Sequence, residues 1–231
     1  MRIDRFLANQ GFGTRKEVKR LIKDRVVTVD EVIITDSAFQ LNPDSAIVCV
    51  EGQIIEYHEY VYLVMNKPAG VICATHDEHN ETVIELIAEF YKDLFPIGRL
   101  DKDTEGLLLL TNDGTFAHQV ISGKKEIIKI YEAVLEFPFE KKYIPELEKG
   151  INYGDNEIAK PATVAIINEN IIHLGITEGK YHQVKRMMHA CQNEVLYLKR
   201  IRIGNLALDD KLAPGDYRFL SEKEKESIMQ D

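Results

Sequence analysis

The sequence has no tryptophan and only three cysteines, Cys49, Cys73 and Cys191, among 231 residues. An odd, widely spaced set excludes a disulfide framework and a zinc ribbon, and leaves the thiols as small core side chains. No apolar run nears the ~18 residues that cross a bilayer. The opening Met1-Arg2-Ile3-Asp4-Arg5-Phe6-Leu7 lacks the apolar stretch of a signal peptide, so a cytoplasmic protein is expected. A G-x-x-x-x-G-K-[ST] loop is missing, which excludes a P-loop NTPase. Low-complexity tracts and repeats of roughly 20–50 residues are missing too. What is present in quantity is apolar: 45 % of the chain, enough for a core in one large domain or two smaller ones.

Positive charge is also scarce. The chain has 29 Lys+Arg against 38 Asp+Glu, a net charge of −9. As a sum this argues against a nucleic-acid partner, which needs cations for its phosphates. The distribution argues the other way. Residues 1–30 hold 8 basic and 4 acidic side chains, and residues 180–202 hold 6 and 1. The remainder holds 15 basic and 33 acidic. Two basic islands thus lie in an acidic chain, each either a solvated face or a surface for phosphates.

The first island opens with a short helical pattern around Ile3, Phe6 and Leu7, broken at Gly11 and Gly13. Thr14 and Glu17 form a capping box that starts a second helix, with Val18, Leu21 and Ile22 on its apolar face. Arg15, Lys16, Lys19, Arg20 and Lys23 fill most of the rest. Val26–Val29 and Val32–Ile34 read as a hairpin, although Asp30-Glu31 is a poor two-residue turn. Ile47–Val50 adds a third strand. Two short helices, one of them basic, followed by a small sheet resemble the S4 RNA-binding module over roughly residues 1–55. A rigid helix carrying those cations can follow an RNA backbone by charge and shape.

A linker follows at 56–61, then a buried strand at 62–65 that stops at Asn66-Lys67-Pro68-Ala69-Gly70. Thr82 and Glu85 form another capping box, which predicts a helix with Val83, Ile84, Leu86, Ile87 and Phe90 inward. Strands are expected at 107–111, 128–136, 162–167, 171–177, 195–203 and 217–220. Helices are expected at 115–121, 140–149 and 182–191, with a last one capped by Ser221 and Glu224. Without βαβ alternation this is α+β with a largely antiparallel sheet flanked by helices.

Two segments carry chemistry. Gly98–Gly114 is a polar loop, then a four-leucine run, then an Asn-Asp-Gly turn. A loop dense in Arg, Asp and Thr on a buried strand suits an active site. Asp101 and Asp103 invite an acid/base pair or serve as loop caps. On extended backbone they would face opposite sides and not share a site. Glu178–His189 is a glycine turn leading into a short basic helix, with Lys185 either at a cleft edge or simply on phosphate. The histidines, among them His76, His79, His182 and His189, read as surface or RNA-facing rather than as metal ligands.

Gly98-Arg99-Leu100-Asp101-x-Asp103-Thr104-x-Gly106-Leu107, spaced against His182-Gln183-Val184-Lys185-Arg186-Met187, resembles the pseudouridine synthases of the RsuA type. These isomerise uridine in ribosomal RNA. The likeness extends through Lys129-Ile130-Tyr131, Lys160-Pro161-Ala162, Arg202-Ile203-Gly204 and Leu212–Arg218. It implies an S4-like RNA-binding domain at 1–56, a linker at 57–61 and a catalytic domain at 62–231. By the resemblance the nucleophile falls on Asp101, the base-stacking tyrosine on Tyr131 and the cation pairing with the nucleophile on Lys185. Lysine lacks the bidentate fork of arginine and holds a carboxylate less rigidly. Val184 falls on the apolar residue beside the target base, and Arg99 on a phosphate or loop-organising group. His182, Gln183 and Arg186, with Arg15, Lys16, Lys19, Arg20 and Lys23, are expected to contact RNA.

Converting uridine to pseudouridine breaks a C–N bond and forms a C–C bond to the same sugar, so no redox change occurs and neither metal nor cofactor is expected. A carboxylate supplies the covalent step by attacking the uracil C6 or the sugar, or it deprotonates the sugar to give a glycal. Reaching one base calls for flipping it out of its stack. Small-subunit (16S) RNA, in a partly assembled particle, is the expected substrate, with a monomeric enzyme and no membrane. Large-subunit (23S) RNA, or a non-catalytic RNA-binding assembly factor on the same fold, are the alternatives.

Overall fold

The computed structural model describes residues 1–55, 57–89, 91–122, 125–154 and 157–230. Two compact units divide the chain: Met1–Val61 with Ile87–Phe95, and Tyr62–Leu86 with Pro96–Asp231.

In the first unit, α1 (Ile3–Asn9) and α2 (Arg15–Lys23) precede β1 (Val27–Val29), β2 (Val32–Ile33), β3 (Val48–Val50) and β4 (Gln53–Ile55). The sheet order is β2-β1-β3-β4. The Thr14–Glu17 box forms reciprocally at the start of α2. Ile3, Phe6, Leu7, Val18 and Ile22 bury against Val27, Val29, Val48 and Val50, each worth roughly 1.5–3 kcal/mol on full burial. The Asp30-Glu31 turn closes despite its composition, with φ of 50° and 68°, the positive pair that a tight hairpin requires. β4 follows a second such turn, Glu51-Gly52, with φ of 50° and 80°. It has no alternating pattern and escapes a sequence reading.

The second unit contains β5 (Tyr62–Lys67), β6 (Phe95–Ile97), β7 (Glu105–Thr111), α3 (Gly114–Ile121), β8 (Lys129–Leu135), α4 (Ile144–Lys149), β9 (Thr163–Ile166), β10 (Ile171–Ile176), α5 (Gln183–Ala190), β11 (Val195–Ile203), β12 (Leu206–Ala207), β13 (Tyr217–Phe219) and α6 (Glu222–Ile228). A nine-stranded sheet runs β13-β5-β7-β11-β8-β10-β9, with β12 on β11 and β6 on β7. Along that path only β7 and β11 pair in parallel. The expected α+β class with a largely antiparallel mixed sheet holds. Leu107–Leu110 are all 0 % exposed in β7, and such a strand, covered on both faces, reads as an unbroken apolar run. Gly106, at φ +102°, lets β11 close in: a Cβ there would stand 2.3 Å from the Arg200 carbonyl oxygen. Among the described residues no helix is long and apolar enough to cross a membrane.

The helix expected after Thr82 does not form. The box itself does: the Thr82 N–H donates to Glu85 Oε2 at 2.7 Å, and the Glu85 N–H to Thr82 Oγ1 at 3.4 Å. Beyond the box the segment runs as turns, with the Val83 N–H on the Ile72 carbonyl at 3.0 Å and Val83 and Ile87 buried. Phe90 lies outside the described residues, as does Glu56 at the start of the expected linker. Residues 140–149 split into a 3-10 turn, Lys141–Tyr143, and α4, where Pro145 sits in the first turn, which a helix tolerates.

The C-terminal helix α6 is fixed by one carboxylate. Glu224 takes a bidentate pair from Arg218, at 3.0 and 2.8 Å, and its Oε2 accepts from the Ser221 N–H and Oγ, both at 2.9 Å. Arg218 first, then Ser221, hold this carboxyl down at about 2, against 4.5 for the free group. Its contribution to stability is therefore full above pH 4.5 and is lost as pH falls toward 2. Glu224→Gln is expected to cost about 1 kcal/mol at neutral pH. Denaturant titrations of both proteins should show the gap narrowing at pH 3; a gap independent of pH would contradict the assignment.

Candidate active site

The loop between β6 and β7 is organised by a buried lysine. Lys67, at the end of β5, is 0 % exposed. Its Nζ donates to the carbonyls of Thr104 (2.9 Å), Pro68 (3.0 Å) and Asp101 (3.1 Å), and reaches that of Lys102 at 3.4 Å. Burial pulls its pKa down, while Cys73, Asp103 and Asp101 pull the other way. The Gly70 N–H donates to the Lys102 carbonyl at 2.7 Å, and the Leu100 N–H to Cys73 Sγ at 3.3 Å. Residues 66–73 are thus a cradle for the loop that carries Asp101.

Within that cradle the backbone turns: the Thr104 N–H bonds the Asp101 carbonyl at 3.1 Å. The extended geometry that would separate Asp101 from Asp103 is therefore wrong. Both carboxylates converge on Lys185 of α5. Lys185 Nζ lies 2.7 Å from each Asp103 oxygen and 3.9 Å from Asp101 Oδ2. The lysine hydrogen bond, ahead of the Coulomb attraction, holds the exposed Asp103 carboxyl below its usual range. The other oxygen of Asp101 is 3.6 Å from His182 Nε2.

His182 stands at the N-terminus of α5 in the left-handed region, φ 48°, which costs of order 1–3 kcal/mol and gathers at functional sites. Its ring stacks on the exposed Tyr181, centroids 3.8 Å apart. Arg99, Asp101, Tyr131, His182, Gln183 and Val184 line one cleft. Tyr131, on β8, is 7 % exposed, and its hydroxyl accepts from Arg200 Nη1 at 3.4 Å. Gln183 spends its amide locally: its Oε1 accepts from the Lys180 N–H at 2.9 Å, and its Nε2 donates to Glu178 at 2.6 Å. Arg186 is turned to Glu157, at 2.7 Å, and to the Tyr153 ring, and does not line the cleft. In the first unit, Arg15, Lys16, Lys19, Arg20 and Lys23 are all exposed along α2.

Sequence reasoning passed over Lys67, Asp103 as a partner of Lys185, and Arg200. The Asn66-Lys67-Pro68-Ala69-Gly70 run belonged to the family likeness, but nothing in it gave Lys67 a role.

On a mixed sheet, the clamped loop thus sets a carboxylate 3.9 Å from a cation and in the lining of the same cleft as a tyrosine ring. Residues 61–190 match the RNA pseudouridylate synthase family and residues 1–47 the S4 domain. The chain belongs to the RNA pseudouridylate synthase family, and its activity is that of an isomerase. It is 46 % identical to an uncharacterised RNA pseudouridine synthase of Bacillus subtilis strain 168, over 97 % of this chain and 96 % of that one. It is 44 % identical to ribosomal small subunit pseudouridine synthase A of Vibrio cholerae, over 99 % of each. With the same-named protein of Escherichia coli K12 the figures are 38 %, over 99 % and 100 %. A solved structure titled pseudouridylate synthase superposes with a TM-score of 0.70 at 33 % identity, covering 99 % of each chain.

Lys67→Met removes the clamp and strands buried carbonyls, at 1–3 kcal/mol each. The expected outcome is a loss of about 3 kcal/mol in unfolding free energy together with loss of pseudouridine formation. Denaturant titration and a single-turnover assay check it; unchanged stability would mean that the loop is held by other contacts.

Proposed function

We propose that this protein converts one uridine of small-subunit (16S) ribosomal RNA to pseudouridine, acting as a cytoplasmic monomer on a partly assembled particle, with Asp101 as the nucleophile. The observation that carries the reading is the Asp101 carboxylate, set on a loop whose own carbonyl is pinned by Lys67 and standing 3.9 Å from Lys185. The relatives named for the small subunit, at 38–44 % identity over nearly the whole chain, support the choice of RNA.

The chemistry follows from the groups present. The N1–C1′ bond of the uridine breaks, the uracil turns, and C5 bonds to C1′. The C5 proton leaves and N1 gains one, so atoms and electrons balance without a redox partner. Asp101 forms the transient bond, or takes the sugar proton in a glycal route. Lys185 places a positive charge 3.9 Å from that carboxylate. Tyr131 offers a ring for the flipped uracil, and its hydroxyl is held by Arg200. Val184 closes the apolar side of the cleft. The basic face of α2 docks the RNA backbone.

Asp101→Asn should abolish product while leaving RNA affinity within about threefold, since one neutralised side chain away from the docking helix changes few phosphate contacts. Single-turnover kinetics and equilibrium binding separate the two, and native-rate turnover would sink the nucleophile assignment. Carbodiimide-dependent reverse-transcription stops, mapped in rRNA with and without the gene, test the substrate. A gene-dependent stop in 23S rather than 16S RNA would overturn that choice.

Replacing Lys16, Lys19 and Arg20 together with glutamine should weaken RNA binding about 10- to 100-fold, with a shallower salt dependence, and leave the rate at saturating RNA nearly unchanged. A comparable loss at saturation would contradict this division of labour.

A further inference from the structure

Next to the candidate active-site cleft lies a second cavity, of about 270 Å³, which shares Arg99, Tyr131 and Gly179 with it. Its volume is far above the ~15 Å³ that admits one water. Four cations line it, Arg99, Lys129, Lys160 and Arg200, and a single carboxylate, Glu178. That carboxylate is already engaged: its Oε1 accepts from the Lys160 N–H at 2.9 Å and from Gln183 Nε2 at 2.6 Å. Lys160 Nζ is exposed at the surface and paired with Glu126 at 3.0 Å.

The inner two cations are not matched. Arg200 is only 3 % exposed. Its Nε donates to the Leu107 carbonyl at 2.7 Å and its Nη1 to the Tyr131 hydroxyl at 3.4 Å, but Nη2 has no hydrogen-bond partner among the described residues. Lys129 is half-buried and, among the described residues, donates only to the Ile127 carbonyl, at 3.3 Å. Burial, and then the charge of Arg200, push its pKa down to about 8. Two like charges drawn out of water with no ion pair among the described residues are unfavourable for folding, and a buried donor without an acceptor adds to the cost. An anion with several acceptor oxygens removes both penalties at once.

The cavity's position selects the anion. It adjoins the cleft that holds the target base in the reading above, on which this inference rests. Within one nucleotide, the group that carries negative charge beside the base and sugar is the backbone phosphate. We propose that the cavity formed by Arg99, Lys129, Lys160 and Arg200 is a phosphodiester subsite, which binds a backbone phosphate flanking the target uridine while the base lies beside Tyr131 and Asp101. Arg200 then links the two pockets: one nitrogen is on the tyrosine hydroxyl, and another has no partner among the described residues. Binding energy from a part of the RNA that does not react serves to orient the base that does.

The test uses the full-length protein, wild type and Lys129→Gln, with Lys129→Arg as the charge-keeping control and thermal unfolding to verify the fold. Affinity for small-subunit rRNA is measured across salt concentrations, without turnover. Lys129→Gln should weaken binding about tenfold and lower the slope of log affinity against log salt by about 0.7 to 1, the signature of one lost phosphate contact. Lys129→Arg should restore both. In a fragment carrying the mapped uridine, single phosphates are then replaced by uncharged methylphosphonates. One flanking replacement should weaken wild-type binding about tenfold and the Lys129→Gln protein less than twofold. Equal slopes for the two proteins, or equal losses at every replaced phosphate, would overturn the subsite. A wild-type protein that binds this RNA but makes no pseudouridine would defeat the functional reading alone, since the salt slopes still decide the subsite. Turnover with unchanged slopes would defeat the subsite alone.

Discussion

Lys67 meets carbonyl dipoles where a buried ammonium ordinarily meets a carboxylate. Three peptide oxygens stand within 3.1 Å of its nitrogen, and two of them belong to the Asp101–Thr104 turn. An ammonium has three protons to give, so the loop has essentially one way to satisfy it. The turn, the direction of the Asp101 side chain and the start of β7 all follow from that arrangement. The motif around Lys67 and the motif around Asp101 are therefore two halves of one device, far apart in sequence and joined by a single side chain.

Cations are distributed in the second unit by what they hold. Lys67 holds backbone, Lys185 holds two carboxylates at unequal distances, and Arg200 holds a tyrosine hydroxyl and a strand carbonyl. Asp103 and Asp101 compete for Lys185, and Asp103 has the closer contact. The charge facing Asp101 is thus softened by a neighbour that is itself exposed to solvent. The net charge of −9 says nothing of this, because the basic groups that matter are few and placed one by one.

Local signals were read well where a single element answers them. The four-leucine run is a covered central strand, and the boxes at Thr14 and Ser221 open helices. The box at Thr82 formed its bonds and still opened no helix: the segment is tied instead to residue 72, with the Val83 N–H on the Ile72 carbonyl and the Ile72 N–H on the Glu81 carbonyl. The spacing of Asp101 and Asp103 misled for a similar reason: a two-residue period applies to extended backbone, and a lysine 34 positions away bends this segment into a turn. β4, β6 and β12 are short strands with no periodicity of their own. Asp101, Tyr131 and Lys185 were reached by likeness of motif, and the composition alone would not have singled them out. Lys67 and Arg200 owe their importance to burial created by distant strands, which no local pattern records.

The first unit is not continuous in sequence. It takes in Ile87–Phe95 after the chain has already laid down β5, and around Gly11 the space is closed by Glu89 and Tyr91. During synthesis the chain emerges from its N-terminus and domains tend to fold as they appear. Here the last segment of the leading unit is made some thirty positions after its own last strand, when the first strand of its neighbour is already out. The module's buried core lies wholly before that segment, so Ile87–Phe95 adds to the unit from outside its core.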